Sequence, residues 1–198
     1  ILLGSSRLRG LRVGVLCNHA SVDRGFANIL DRVAAADGVT LAAIFGPQHG
    51  FRSDVQDNMI ETPHAKDPGR RVPIYSLYSE TREPTTEMLS GIDVLVIDLQ
   101  DVGARIYTFI YTMANCLRAA ARHGVPVIVC DRPNPIGGAQ VEGPTLEPGF
   151  ESFVGQFRMP MRHGLTIAEL ARLFNEHHGI NAMLEVMPMQ GWSRDMYW

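Results

Sequence analysis

Much that would place a protein quickly is scarce in this 198-residue chain. It has three cysteines, Cys17, Cys116 and Cys130, none in a close metal-type pair, so a disulfide scaffold is a poor reading. Two end apolar runs and one falls inside a helix-like stretch, which is where small buried hydrophobes sit. No apolar run approaches the ~20 residues that a membrane-spanning helix requires. The formal net charge is -3, with no basic surplus, which makes nucleic acid and anionic membrane poor partners. After the first apolar run the chain reads CNHASVDRGF, with neither G-x-G-x-x-G nor G-x-x-x-x-G-K-[ST]. A dinucleotide is therefore weakly supported, and no cofactor is expected. The G-x-S-x-G elbow is missing too, which favours a hydrolase working through carboxylates over one with a serine nucleophile. Internal repeats and low-complexity tracts are absent. The opening ILLGSSRLRG lacks Met and the pattern of a signal peptide, so a processed or partial chain is expected.

What is present is an ordinary globular composition, 45% hydrophobic and 20% charged, enough for one substantial core with room for part of a second lobe. Apolar runs at 11–16, 40–45, 72–77, 94–97, 125–130 and 183–187 predict strands. Helical patterns fall between them at 26–36, 107–123 and 166–178, with a short helix after Pro84 that ends near Gly91. Gly124 closes the second of these behind Arg118, Arg122 and His123, and Thr166 with Glu169 forms a capping-box pattern at the start of the third. Alternating strands and helices predict an α/β three-layer sandwich, a mostly parallel sheet with helices on both faces. Two irregular segments, 46–71 and 131–164, follow the second and fifth strands. Loops this long are uncommon unless they do something. Both leave the edge of the sheet where the fourth strand turns polar, in DVLVIDLQDVGARIYTFIY, and such edges carry the sites of α/β proteins.

The first loop, GPQHGFRSDVQDNMIE, offers Gln48, His49, Arg52, Asp54, Asp57 and Glu61. His49 is of the residue type that suits a general acid or base, or it serves only to bond a backbone carbonyl. The loop carboxylates do not have EF-hand spacing, and no metal is expected. The fourth-strand cluster offers Asp98, Gln100, Asp101 and Arg105. Asp98 needs a partner or neighbouring amides if the strand is buried. Asp101 and Arg105 are spaced for a local ion pair, or Arg105 grips a ligand carboxylate in a fork. Tyr107 is placed to stack on a sugar, whereas Tyr111 suits core packing. DRPNPIGG and VEGP then supply Arg132, Asn134 and Glu142 on a loop stiffened by Pro133 and Pro135, with Glu142 reaching back into the cleft. Asn18 follows the first strand, and Arg162 and His163 line the rim.

These motifs, GVLCNHAS, LAAIFGPQHGFRSDVQDNM, DLQDVGAR-x-YT, DRPNPIGG, VEGP and HGLTIAEL among them, resemble a bacterial family long catalogued as a domain of unknown function. Some of its members are exo-β-N-acetylmuramidases, which release N-acetylmuramic acid from non-reducing ends of peptidoglycan fragments. The resemblance runs from Leu11 to about Trp192. It implies a Rossmann-like catalytic lobe over 1–190, with 191–198 opening a C-terminal lobe and the active site between the two. It also implies an exported, periplasmic or extracellular protein. Members often carry Glu at the position of Gln48, the candidate acid of the family, and Gly at the position of Ser53.

On that footing the acid is His49 or Glu61, and Asp101 or Glu142 is the second group of an oxocarbenium-type hydrolysis. Asn18, Gln48, Asp57, Gln100, Arg105, Tyr107, Arg132 and Asn134 would bind substrate, Arg105 or Arg132 pairing with the lactyl carboxylate of muramic acid. A 2-acetamido sugar also allows its own amide oxygen to act as nucleophile. Two other readings stand: a module that grips a sugar or muropeptide without cleaving it, given Gln48, and a metal-dependent hydrolase of another bond.

Overall fold

The computed structural model describes residues 2–53 and 61–197. In chain order its elements are β1 (Arg12–Cys17), α1 (Ile29–Ala34), β2 (Thr40–Gly46), β3 (Ala65–Lys66) and β4 (Pro73–Ser76), then α2 (Thr86–Ser90), β5 (Val94–Asp98), α3 (Phe109–His123), β6 (Val127–Cys130), α4 (Ile167–Arg172) and β7 (Leu184–Met187). The strands form one seven-stranded sheet in the order β3-β4-β2-β1-β5-β6-β7. Among the described residues β3 alone runs antiparallel to its neighbour. The expected α/β sandwich is what forms.

Strand alternation builds a core on each face. Leu16, Phe45, Leu95, Ile97, Val127 and Val129 point toward α2, α3 and α4. Val13, Val15, Ile44, Val94, Val96 and Ile128 point the other way, onto Leu30 and Val33 of α1 and onto Leu2 and Leu8. All five residues of β5 are buried, as a strand covered on both faces must be. α3 buries most of its length, and Gly124 ends it in the left-handed conformation at φ 65, donating its N–H to Ala120 O. Gly14 of β1 is required for space: a Cβ there would lie 2.8 Å from Ile92 Cδ1 and 3.0 Å from Phe45 Cε2.

Two expectations are corrected at element ends, and one strand is added. The helix predicted over 26–36 begins only at Ile29, because Phe26 sits at φ 60 and 86% exposed, and Asn28 caps the first turn through Leu30 N–H. The helix predicted over 166–178 is α-helical to Arg172 and then widens into a π turn, Leu173–His177. β3 was not expected, since two exposed residues carry no periodicity. The capping box at the start of α4 is present, with Thr166 accepting from Glu169 N–H and Glu169 accepting from Thr166 N–H. Thr166→Ala should therefore cost about 1 kcal/mol of unfolding free energy. A denaturant titration showing no change would mean the cap contributes nothing.

Candidate active site

The strand order reverses direction at β1: β2 and β4 extend the sheet to one side, and β5, β6 and β7 to the other. The crevice beyond the carboxyl ends of β1 and β5 is therefore the topological switch point, where open α/β sheets bind ligands. Register places Cys17 beside Asp98 there. Asn18, the next residue, is buried, and its Nδ2 donates to Gln100 O at 3.4 Å. The Ser21 hydroxyl lies within hydrogen-bond reach of Asn18 Oδ1 and Asp98 O. Asn18 thus ties the loop after β1 to the loop after β5.

Asp98 and Arg132 form a two-point ion pair, Nε to Oδ1 at 2.5 Å and Nη2 to Oδ2 at 2.8 Å. Burial works to lower the Arg132 pKa, but the hydrogen bond and the charge of Asp98 together outweigh it and the guanidinium is held more firmly charged. Both Nη atoms also donate to Val22 O at 3.2 Å. The guanidinium that the sequence offered to a ligand is thus committed inside the chain.

Asp101 lies in a second buried cluster. Its Oδ2 accepts from Gly103 N–H at 2.8 Å and sits 3.2 Å from His163 Nε2, an approach without hydrogen-bond alignment. Leu165 N–H donates to His163 Nδ1 at 3.1 Å, which leaves the imidazole proton on Nε2, facing the carboxylate. Asp101 is 3% exposed, and its Oδ1 has no hydrogen-bond partner among the described residues. The suggested ion pair from Asp101 to Arg105 does not form. Arg105 instead donates through Nη1 to Met159 O at 2.7 Å and Pro144 O at 3.0 Å. Gln100 Nε2 donates to Asp101 O and Pro133 O, and Asn134 Nδ2 donates to Leu165 O. Asn134 Oδ1 packs so closely over Gly103 that a Cβ there would come within 2.4 Å of it.

The first loop joins the same edge. Gln48 Oε1 accepts from Thr108 Oγ1 at 2.9 Å, at the start of α3. His49 and Ser53 hold positive φ, 71 and 53, so the loop turns sharply enough to bring Ser53 Oγ within 2.6 Å of His19 Nδ1. The loops after β1, β2, β5 and β6 are thereby linked in one chain of contacts, the convergence expected from the sequence. Glu61 is more peripheral: it stands exposed, 3.3 Å from Arg82 Nη2, and Arg82 lies over the Tyr78 ring at 4.0 Å. Glu142 pairs with Arg162 at 2.7 Å on an antiparallel bridge and is exposed. Asp54 and Asp57 lie outside the described residues.

Tyr107 is half-buried with its ring 4.6 Å from Phe109, and burial followed by the charge of Asp101 raises its phenol pKa. Tyr111 is a core residue as expected; burial pushes its phenol up to about 12, and its hydroxyl donates to Arg105 O. Burial also raises all three thiols, Cys130 to about 12, so none is set up as a nucleophile. Among the described residues no group of three or more His, Cys, Asp or Glu is placed to hold a metal ion. Sequence reading put His163 on the rim, and it is buried behind Asp101 instead. The signal available was its place just before the Thr166 cap, which fixes it against the carboxyl edge.

Sheet order, the switch-point crevice and the absence of a phosphate-binding glycine turn define a Rossmann-like α/β lobe with a polar, loop-built rim. The chain belongs to the exo-β-N-acetylmuramidase NamZ family, whose N-terminal model matches residues 13–198. It is 46% identical over 190 residues to the peptidoglycan β-N-acetylmuramidase NamZ of Bacillus subtilis (strain 168), covering 96% of this chain and 46% of that protein. A crystal structure of a DUF1343 family protein from Bacteroides fragilis superposes with a TM-score of 0.88 at 44% identity, covering 96% of this chain and 48% of that one. A second DUF1343 protein from the same organism gives 0.82 at 30% identity, covering 96% and 50%. The chain spans about half the length of the relatives it matches.

Proposed function

We propose that this chain is the Rossmann-like lobe, residues 1–190, of an exo-acting β-N-acetylmuramidase that removes N-acetylmuramic acid from peptidoglycan fragments outside the cytoplasm. In this reading a second lobe beginning near residue 191 completes the cleft. The observation that carries it is the 46% identity to a peptidoglycan β-N-acetylmuramidase across almost the whole chain. The linked loops at the switch point support it, because they give the polar residues of that stretch a common edge.

Within this reading the acid comes from the first loop, as Glu61 or His49. Glu61 is a solvent-facing carboxylate beside Arg82, whose charge it would share until a substrate displaced it. Asp101 is deeply buried, and the exposed Glu142 beside Arg162 is the more accessible second group. With a chromogenic N-acetylmuraminide, the full-length protein should turn over, and Glu61→Gln should lower kcat by about 10²-fold or more. Undiminished kcat in that variant would remove Glu61 from the chemistry. No hydrolysis of any amino-sugar substrate by the parent would sink the glycosidase reading itself.

One observation favours the binding-module alternative. Gln48 stands at the frequent Glu position and is held by the Thr108 hydroxyl, and an amide there cannot donate a proton as a carboxylic acid does. An inactive parent rescued by Gln48→Glu would decide for that alternative.

A further inference from the structure

A site that tells muramic acid from glucosamine must recognise a lactyl ether, which is a carboxylate bearing a small methyl group. Binding a carboxylate at a wet rim calls for a guanidinium fork not already committed within the protein. Arg132 is bonded to Asp98 and Val22, and Arg105 is buried away from the rim with its Nη1 on two carbonyls. Arg70 is bonded to Asp67 and Asp31, and Arg82 to Ser79 O and Glu61.

Arg52 differs. Among the described residues its carboxylate partner is Asp67 at 3.8 Å, beyond hydrogen-bond length. Asp67 already accepts from Gly69 N–H, Arg70 N–H and the Arg70 guanidinium. The Arg52 side chain is 59% exposed and lies 5.2 Å from the Phe51 ring centre. It borders a hollow of about 290 Å³ lined also by His19, Asn28, Leu30, Phe51 and Arg70. His19 has its Nδ1 engaged by Ser53, which leaves Nε2 as its outer atom. Phe51 and Leu30 supply apolar wall. A cationic fork, a second ring nitrogen and an apolar patch at one hollow match an anion with a methyl beside it. Arg52 lies on the same loop as Gln48, four residues on.

From this arrangement we infer that Arg52, with His19 beside it, is the anchor for the lactyl carboxylate of a muramic acid residue. The inference rests on the muramidase reading for its ligand. It also places the specificity determinant on the loop that carries the proposed acid, so selection and catalysis are set by one short segment.

The test uses full-length protein, wild type, Arg52→Ala and Arg52→Lys, with far-UV circular dichroism to confirm folding. Calorimetry measures binding of N-acetylmuramic acid, its neutral lactyl amide and N-acetylglucosamine; turnover is measured on the matching chromogenic glycosides. The expected result is a wild-type preference for the carboxylate, lost in Arg52→Ala through a roughly 10- to 100-fold rise in Kd and KM for that ligand alone, with Arg52→Lys partway. Equal effects of Arg52→Ala on charged and neutral ligands, or an undiminished preference, overturn the inference while leaving the hydrolase reading intact. Binding that depends on Arg52 without any hydrolysis upholds the inference and removes the hydrolase. Absence of both binding and turnover overturns both.

Discussion

Asp98→Ala should lower the unfolding free energy by about 3–5 kcal/mol, because it leaves the Arg132 guanidinium largely buried with its main counter-ion gone. The two side chains are 6% and 19% exposed, so water can replace little of what is lost. Val22 O remains as an acceptor, but a carbonyl does not neutralise a charge. The pair also fastens the ends of β5 and β6 to the loop after β1. A double variant, Asp98→Leu with Arg132→Met, removes both charges and should recover much of the stability, while the loop after β1 loses its tether. Urea unfolding of the single and double variants checks both statements. A single variant within ~0.5 kcal/mol of wild type would mean that Arg132 reaches solvent in solution.

Gly103→Ala is expected to have the second large effect. Gly103 holds φ +83, where an L side chain is disfavoured by about 1–2 kcal/mol. The new Cβ would also fall 2.4 Å from Asn134 Oδ1 and 2.5 Å from Ile136 Cγ1, and overpacking of that kind adds about 1–3 kcal/mol. Together these give about 2–5 kcal/mol of destabilisation and push the turn at Gly103 away from Asn134. Gly124→Ala is the control: φ is +65 with nothing within 4 Å, so only the backbone cost applies. If thermal unfolding shows the two variants to be equal, the close approach of Asn134 does not constrain the loop.

The sheet could be read from the chain because its strands are buried on both faces. VLVI and VIVC present as unbroken apolar runs between helical patterns, and such runs have few other homes. α3 was equally plain, with its basic last turn and terminal Gly124. Local rules failed where the outcome depends on distant partners. Arg132 looks like a free fork in DRPNP, but its partner is 34 positions earlier in sequence, at Asp98. Asp101 looks poised to pair with Arg105 one turn on, yet the chain at 159–163 closes over both and separates them, taking Arg105 with its carbonyls and meeting Asp101 with His163. Phe26 reads as the start of a helix because it is apolar, and only its left-handed backbone shows otherwise. The convergence of the loops could be foreseen from topology; the bonds that each loop residue makes could not.

The register of the central strand carries a consequence for biogenesis. β1 lies between β2, which follows it closely, and β5, whose Val94 must meet Val13. During synthesis one margin of β1 stays unsealed until β5, 81 positions further on, has left the ribosome. Parallel pairings over such separations assemble slowly, since the entropy of closing the intervening chain is lost before the pairing rewards it. Nascent chains that end short of β5 would thus expose a strongly apolar, half-zipped ribbon, the species that holdase chaperones exist to shield.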